Sequence, residues 1–277
     1  MTDNSRCTKI EQSIRTEFHK GILTPFKKAV ADYKLINSGD KIAVCISGGK
    51  DSMLMAKLFQ EMSKRSDVAF ETVFLVMDPG YSPRNLENIK RNAELLEIPA
   101  VYFETDIFSH VNEARSNPCA LCAKMRRGSL YSKAKELGCS KIALGHHFDD
   151  VIESILMGMI YGGQVQTMLP RLKSANFEGM ELIRPLYLIR EAEVKRWAEY
   201  NGLEFIRCAC RFTAESTDKG SSKRQEIKEL IAELTKRNPQ IEKNIFRSVE
   251  NVNLKSIVSY KDKNGEVHSF LDDFDNT

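Results

Sequence analysis

The chain has 277 residues, a length that excludes a peptide hormone or a knottin and fits one large α/β domain with an appendage. With 42% hydrophobic and 29% charged residues it can bury a core, which argues against global disorder. The 41 Lys and Arg residues against 38 Asp and Glu give a net charge of only +3, so any nucleic-acid-binding surface must be local.

A helical segment is predicted at the start of the chain, and residues 1–38 are assigned to it. Within residues 8–36, apolar side chains recur at every fourth position, as expected for one face of a helix. These side chains are Ile10, Ile14, Phe18, Ile22, Phe26 and Val30.

Strands and helices then alternate as far as about residue 201. Short apolar runs predict strands at 41–46, 72–77, 100–103, 141–145 and 181–183. Amphipathic stretches predict helices at 52–63, 83–96, 122–137, 149–161 and 190–201. This alternation predicts an α/β fold with a doubly wound parallel sheet, in which ligands bind beyond the carboxyl ends of the strands. Residues 39–212 are assigned to this domain.

The C-terminal tail, residues 213–277, begins with a polar break at 217–222 and continues in two charged helices predicted at 223–236 and 239–250. Its basic residues allow two interpretations: solvated charges on a packing helix, or an RNA-facing surface. Only the second predicts that charge reversal weakens a salt-sensitive binding. The residues concerned are Lys219, Lys223, Arg224 and Lys228.

A glycine-rich hexapeptide at residues 47–52 follows the first predicted strand and opens a helix. Its two glycines allow positive φ, and the free N–H groups of a helix start favour a phosphate. It is not a Walker A loop, because Lys50 precedes Asp51 instead of following a GxxxxG pattern. Turn chemistry alone also allows an ordinary turn in which Asp51 or Ser52 caps the helix.

Two further strand ends fit a nucleotide. The backbone around Met77 could meet an adenine, and Gly145 permits the close approach of a ligand. Asp149 and Asp150 at a predicted helix start suit either a cap or a hard cation such as Mg²⁺. A zinc site at the neighbouring His146 and His147 is disfavoured, because adjacent side chains rarely point at one ion.

Four of the seven cysteines occur as close pairs. Cys119 and Cys122 form a CxxC unit before a basic helix, and Cys208 and Cys210 form a CxC unit between two arginines. Two paired units indicate a soft-metal site, whereas a thioredoxin-like redox pair needs no second unit. Spacing alone leaves zinc, an iron-sulfur cluster and unliganded thiols open.

The location expected from these features is a reducing cytoplasm, without a membrane. The first residues lack the apolar segment of a signal peptide, and no apolar run is long enough to span a bilayer. Close cysteine pairs in that compartment more often bind metal or take part in redox chemistry than form disulfides.

The hexapeptide SGGKDS resembles the PP-loop of the adenine-nucleotide α-hydrolase superfamily. Its order with PCxxCAxxRRG from Pro118, GHHxDD from Gly145 and a late cysteine unit is similar to that of the tRNA 2-thiocytidine synthetase family. Further matches at 168–172 and 184–186 extend the resemblance over roughly residues 40–212. The chain departs from that pattern at its late unit, which is CxC following Arg207 where a CxxC following proline is expected.

The resemblance implies ATP-dependent tRNA thiolation, in which the C2 oxygen of a cytidine is adenylated and then replaced by sulfur. By position, Asp51 and Asp150 would be the catalytic carboxylates and would hold Mg²⁺. Met77 would meet the adenine, and Gly145 would lie near the ribose. The residues that would hold the ATP phosphates or their Mg²⁺ are Ser47, Gly48, Gly49, Lys50, Asp51 and Ser52.

The resemblance also implies a 4Fe-4S cluster with three cysteine ligands and one open iron that takes sulfur. Cys119 and Cys122 would be two of the ligands, and the third would be Cys208 or Cys210. The remaining cysteines, Cys7, Cys45 and Cys139, would be structural or simple thiols.

The expected partners are tRNA, a sulfur donor (a cysteine desulfurase or sulfide) and a second copy in a homodimer. The RNA surface would include Lys124, Arg126, Arg127 and Arg171. Two alternatives stay open: another PP-loop tRNA-modifying or sulfur-transfer enzyme, and a non-catalytic, zinc-stabilised RNA-binding module.

Overall fold

The computed structural model describes residues 3–112, 118–206 and 223–276. The described parts of 1–151 and 168–221 form one compact unit, and those of 152–167 and 222–277 form another. The three-part division at residues 38 and 212 stays a prediction. Among the described helices, none combines the length and apolar character that crossing a bilayer requires.

A six-stranded sheet forms the centre of the first unit. Its strands are β1 (Lys41–Ile46), β2 (Glu71–Asp78), β3 (Ala100–Glu104), β4 (Lys141–Ala143), β5 (Arg171–Lys173) and β6 (Glu181–Ile183). They are ordered β3-β2-β1-β4-β6-β5, and every pair is parallel except β5 with β6. The predicted α/β sheet is confirmed. Strand β5 was not predicted, because three residues are too few to show a strand pattern.

The helices in this part of the chain are α1 (Asp3–Arg15), α2 (Thr24–Asp32), α3 (Lys50–Ser63), α4 (Pro83–Leu95), α5 (Ile107–Asn112), α6 (Pro118–Glu136), α7 (Phe148–Gly162) and α8 (Glu191–Tyr200). Each helix predicted between 52 and 201 has a counterpart within four residues of its predicted bounds. Helix α6 begins four residues earlier than expected, so Cys119 lies in its first turn.

Strand β1 separates two hydrophobic cores. Ile42, Val44 and Ile46 pack in one core with residues of α1–α4 and α8, whereas Ala43 and Cys45 pack in the other with residues of α6. Successive side chains of a strand point to opposite faces, so a strand buried on both sides reads as a continuous apolar run. Only the ends of such strands are left to meet a ligand.

The N-terminal helix is interrupted where the sequence predicts continuity. A π-helical turn, His19–Leu23, separates α1 from α2, and the predicted apolar stripe from Ile10 to Val30 is buried throughout. A strict spacing of four exceeds the 3.6 residues of an α-helical turn, so the stripe would drift around a regular helix. The wider π turn takes up part of that drift. Gly21 in this turn faces the carboxylate of Glu193, which leaves no room for a Cβ in its present position.

The second unit contains the rest of α7, helices α9 (Lys223–Arg237) and α10 (Ile241–Ser248), and a hairpin of β7 (Ser259–Lys261) and β8 (Val267–Ser269). Ile227 and Ile231 of α9 are buried. Arg224 donates to Glu153 at 2.7 Å, so this basic residue is paired within its own unit. Lys219 lies outside the described residues.

Candidate active site

The PP-loop-like segment runs from the end of β1 to the first turn of α3. Gly48 has a φ of +85°, and a Cβ on it would lie 2.5 Å from Cγ1 of Ile89. Gly49 precedes the helix, and no side chain caps the N-terminus of α3. The N–H groups of that first turn therefore suit an anion such as a phosphate.

The side chain of Ser52 stabilises this loop through hydrogen bonds to its backbone. Its hydroxyl donates to the carbonyl oxygen of Gly49 at 2.9 Å and accepts from the backbone N–H of Ser47 at 3.1 Å. The residue is 4% exposed, so the hydroxyl is committed to the shape of the loop. Its predicted contact with phosphate stays a prediction.

Gly145 brings the second motif against the same helix start. An added Cβ would lie 3.2 Å from the backbone nitrogen of Ser52 and 3.3 Å from the carbonyl carbon of Asp51. The close approach that this glycine permits is therefore to the loop itself. Its predicted position near a ribose is not tested by these contacts.

A cavity of about 320 Å³ lies at the carboxyl ends of β1, β2 and β4. Of the predicted nucleotide site it brings together Ser47, Asp51, Ser52, Met77 and Gly145. The remaining wall residues are Cys45, Ile46, Ala123, Arg126, Arg127, Leu130, Leu144 and His146. Gly48, Gly49, Lys50 and Asp150 do not line this cavity within the described part of the chain.

A larger cavity, of about 640 Å³, lies between the N-terminal helices and the end of α3. Its walls include Phe26, Val30 and Met62, and it lies toward the amino ends of β1 and β2. We place the nucleotide in the smaller cavity, because in a parallel α/β sheet ligands bind beyond the carboxyl ends of the strands.

Lys50 is held by two carboxylates. Its Nζ lies 3.1 Å from Oδ2 of Asp51 and 3.1 Å from Oε1 of Glu191 at the start of α8. Burial tends to lower the pKa of Lys50, but the two carboxylates outweigh it and raise the pKa overall. The lysine therefore stays charged and ties α3 to α8.

Asp150 and His147 cap each other at the start of α7. The backbone N–H of His147 donates to Oδ2 of Asp150 at 3.0 Å, and the N–H of Asp150 donates to Nδ1 of His147 at 3.4 Å. Asp149 accepts instead from the backbone N–H of Glu191 at 2.7 Å. Asp150 therefore caps the start of α7, whereas its neighbour Asp149 accepts a hydrogen bond from the start of α8.

The carboxylates fit a magnesium ion that ATP would help to bind. Oδ1 of Asp51 is buried and has no hydrogen-bond partner among the described residues, so it can accept a ligand bond. The described carboxylates of the cavity do not by themselves form a group of three converging ligands. Mg²⁺ does not need such a group, since it commonly takes one or two carboxylates together with phosphate oxygens.

Arg126 and Arg127 line the same cavity as Asp51. A guanidinium nitrogen of Arg126 lies 3.5 Å from the hydroxyl of Tyr81, which itself lies 3.5 Å from the carbonyl oxygen of Ser47. Burial raises the pKa of Tyr81, so its hydroxyl keeps its proton. Neither arginine has a carboxylate within 4.0 Å among the described residues, which leaves both charges available to an anion.

Comparison with known proteins places this site in a family. The profile of the PP-loop domain matches residues 17–211. The tRNA-cytidine(32) 2-sulfurtransferase of Geobacter sulfurreducens is 34% identical over 237 residues, which cover 84% of this chain and 90% of that protein. The chain belongs to this family. A relative with the same name from Coxiella burnetii is 35% identical over 252 residues, covering 87% of this chain and 93% of its own.

A solved structure supports the same placement. The U34-tRNA thiolase NcsA from Methanococcus maripaludis, solved with its [4Fe-4S] cluster, has a TM-score of 0.65 and 25% identity. The match covers 84% of this chain and 78% of that one. The family resemblance and the fold expected from the sequence are therefore confirmed.

The cysteines expected to bind a cluster in this sulfurtransferase family fall mostly outside the described residues. Cys208, Cys210 and the side chain of Cys119 are among those not described. Cys122 is half-buried and packs against the small core of Met77, Ile107 and Val111. The one described ligand candidate therefore lies beside the nucleotide cavity, and the ligand set stays a prediction.

The single cysteines Cys7, Cys45 and Cys139 are all buried. Burial, with a smaller contribution from Cys139, raises the pKa of Cys45 to about 12. Although Cys45 lines the cavity, its thiol therefore stays protonated and is a poor metal ligand.

The structure shows contacts of three arginines that the sequence did not predict, and their place on an RNA surface stays a prediction. Arg171, expected on the RNA surface, donates to both carboxylate oxygens of Glu181 at 2.9 and 3.0 Å, so its charge is already paired. Arg126 and Arg127, expected on the same surface, line the cavity. Sequence reasoning missed this because the apolar pattern of α6 does not show which of its faces meets the sheet edge.

Arg184 is a further residue whose electrostatic environment the sequence did not predict. It follows β6 directly, and burial together with the charge of Arg127 lowers its pKa to about 10. Its Nε is buried without a hydrogen-bond partner among the described residues. The signal in the sequence was its place in the family motif at 184–186.

Proposed function

We propose that this chain is an ATP-dependent tRNA sulfurtransferase that converts a cytidine, at position 32 as its relatives' names state, to 2-thiocytidine. The observation that carries the proposal is one cavity whose wall joins the PP-loop to the CxxC helix. Its lining includes Ser47 and Asp51 of the loop together with Ala123, Arg126 and Arg127 of α6.

The N-terminus of α3 would bind the ATP phosphates through its backbone N–H groups. Asp51, with Asp150 nearby, would hold Mg²⁺, which neutralises phosphate charge when bound. Arg126 and Arg127 face the same space and would balance the negative charge of the phosphates or of the tRNA backbone. Met77 contributes an apolar surface suited to an adenine.

In the first step the C2 oxygen of the cytidine attacks the α-phosphate of ATP, and pyrophosphate leaves. The loop amides and arginines stabilise the charge that develops on the phosphate oxygens. In the second step a sulfide attacks C2, and AMP leaves with the former C2 oxygen. Walls such as Ile46 and Leu130 would keep water from the activated cytidine, which hydrolysis would return to its starting state.

The sulfide requires a carrier near the cavity. A 4Fe-4S cluster, held by Cys119, Cys122 and one of Cys208 or Cys210, would supply an open iron for it. What supports this is the half-buried Cys122 beside Met77 and the cluster in the NcsA structure. A thiolate pair and a soft metal are chemically matched.

The resemblance supports a sulfur donor, either a cysteine desulfurase or free sulfide, and a homodimer in the cytoplasm. Sedimentation of the anaerobically purified protein tests the dimer. Omitting the desulfurase while supplying sulfide tests the donor.

The decisive experiment is nucleoside analysis of tRNA from a strain lacking this gene. We expect 2-thiocytidine to disappear and to return when the wild-type gene is supplied. If 2-thiocytidine persists in the deletion strain at its normal level, the proposal is wrong. If only another thiolated nucleoside disappears, the protein is a different PP-loop thiolase.

A further inference from the structure

The buried ring of His147 lies between the two carboxylates proposed to be catalytic. Its Nδ1 accepts from the backbone N–H of Asp150 at 3.4 Å. Its Nε2 lies 3.8 Å from Oδ1 of Asp51. The residue is 6% exposed, so little water competes for either nitrogen.

We assign the ring proton of His147 from its contact with the backbone N–H of Asp150, at the nitrogen that also lies 3.5 Å from Oδ2 of Asp150 and 3.8 Å from Oδ2 of Asp149. A neutral imidazole that accepts a hydrogen bond at Nδ1 carries its proton on Nε2. The Nε2–H of His147 therefore faces Asp51, whose Oδ1 is buried without a hydrogen-bond partner among the described residues. A movement of about 1 Å would complete the bond, and such contacts in active sites often shorten when the substrate binds.

We propose that His147 is a positioning residue for Asp51, whose carboxylate it orients toward Mg²⁺-ATP through its Nε2–H. Lys50 already holds the other oxygen of this carboxylate at 3.1 Å. With one donor on each oxygen, the carboxylate keeps a fixed orientation, and its remaining lone pairs are available to the cavity. This inference rests on the proposed function, because it concerns the binding of ATP at this loop.

Two amide substitutions separate the two nitrogens of His147. The side chain of His147→Asn ends at the position of Nδ1, so it can accept from Asp150 but cannot reach Asp51. The side chain of His147→Gln extends to the position of Nε2, so it can donate to Asp51 but leaves the helix cap unmade. The pair is therefore a matched test of which contact matters.

The measurement is the affinity of the anaerobically purified holoprotein for a fluorescent N-methylanthraniloyl ATP with Mg²⁺, together with its melting temperature. We expect His147→Asn to weaken binding about tenfold with little change in melting temperature, since one hydrogen bond to a charged group is lost. His147→Gln should bind within about threefold of wild type but melt lower, because it lacks the cap.

A double-mutant cycle with Asp51→Asn tests the coupling. If His147 acts through Asp51, then His147→Asn should weaken binding by less than about twofold in the Asp51→Asn background. Equal losses in both backgrounds would contradict the proposal. Normal ATP binding by His147→Asn would also contradict it. A third contradicting result would be weaker ATP binding in both amide variants in proportion to their lower melting temperatures.

The same preparations separate this inference from the proposed function. If the wild-type protein and the His147→Asn variant bind Mg²⁺-ATP and form 2-thiocytidine equally well, only the positioning role is refuted. A wild-type protein that binds no ATP and thiolates no tRNA refutes the function itself.

Discussion

Gly145 lies against the first turn of α3 so closely that a Cβ on it would stand 3.2 Å from the backbone nitrogen of Ser52. This contact joins the two motifs that the sequence separates by more than ninety residues. It also means that the N–H groups proposed to bind phosphate are positioned by a neighbouring strand end as well as by their own loop.

Gly145→Ala should therefore lower the affinity for ATP clearly while it changes the free energy of unfolding only a little. The added methyl group must push the start of α3 away by a few tenths of an ångström, which misaligns the N–H groups. We expect a several-fold loss of affinity, measured with the fluorescent ATP analogue. The matched control is Gly162→Ala in α7, where an added Cβ meets nothing within 4 Å, and equal losses in the two variants would contradict the explanation.

Gly48→Ala should lower stability more than Gly39→Ala. Both glycines have positive φ, +85° and +82°, so both substitutions carry the cost of a left-handed alanine, about 1 kcal/mol or more. Only at Gly48 does the new Cβ also collide, at 2.5 Å, with Ile89. Chemical denaturation measures the two free energies of unfolding, and a Gly48→Ala loss no larger than that of Gly39→Ala would show that the loop relaxes freely.

Acid should destabilise the first unit through Glu11. This carboxylate accepts from the fully buried Lys57 at 2.7 Å and from Lys64 at 2.9 Å. Burial tends to raise the pKa of Glu11, but the two lysines outweigh it and lower the pKa from 4.5 to about 2. The stabilisation is therefore complete above about pH 4.5 and is lost as the pH falls toward 2.

In Glu11→Gln the free energy of unfolding should fall less steeply as the pH is lowered from about 4.5 toward 2. Lys57→Met should also lower the free energy of unfolding at neutral pH, because Glu11 loses the buried one of its two lysine partners and keeps only Lys64. The Lys57→Met, Glu11→Gln double variant should recover part of that loss. No recovery would mean that the packing of Lys57, and not its charge, stabilises the protein.

Asp51→Ala and Cys122→Ser should separate ATP chemistry from the cluster. The first should abolish ATP consumption while the iron content and visible absorbance stay at the wild-type level. Cys122→Ser should lower the iron content and the visible absorbance while ATP binding remains. Cys139→Ala is the control for losing a thiol, because Cys139 is buried away from the cavity, and full thiolation by Cys122→Ser would refute the role of Cys122 as a ligand.

Arg126 and Arg127 should matter for both substrates, since they line the cavity and lack carboxylate partners among the described residues. Replacing both with Glu should weaken ATP analogue binding and tRNA binding by at least tenfold and reduce the salt dependence of tRNA affinity. Lys135→Glu, which changes an exposed residue near the other end of the same helix, is the control. An unchanged tRNA affinity in the double variant would reject their part in RNA binding.

The sequence by itself determined the sheet and the loop. The apolar run 41–46 predicts a strand buried on both faces, and the glycines of 47–52 predict a turn that only glycine adopts easily. Both predictions depend on local properties of the segment and not on its neighbours in the fold. The order of the motifs along the chain is specific enough to indicate the family.

Only the tertiary structure decided which side chains face one another. That Arg126 and Arg127 line the cavity, that Arg171 is already paired with Glu181, and that the Nε2 of His147 faces Asp51 all depend on how separate elements pack. Periodicity shows that a helix has an apolar face but not which residues of its flank meet the end of a neighbouring strand. The two motifs joined at Gly145 and Ser52 became one site because parallel strands bring their carboxyl ends to the same edge.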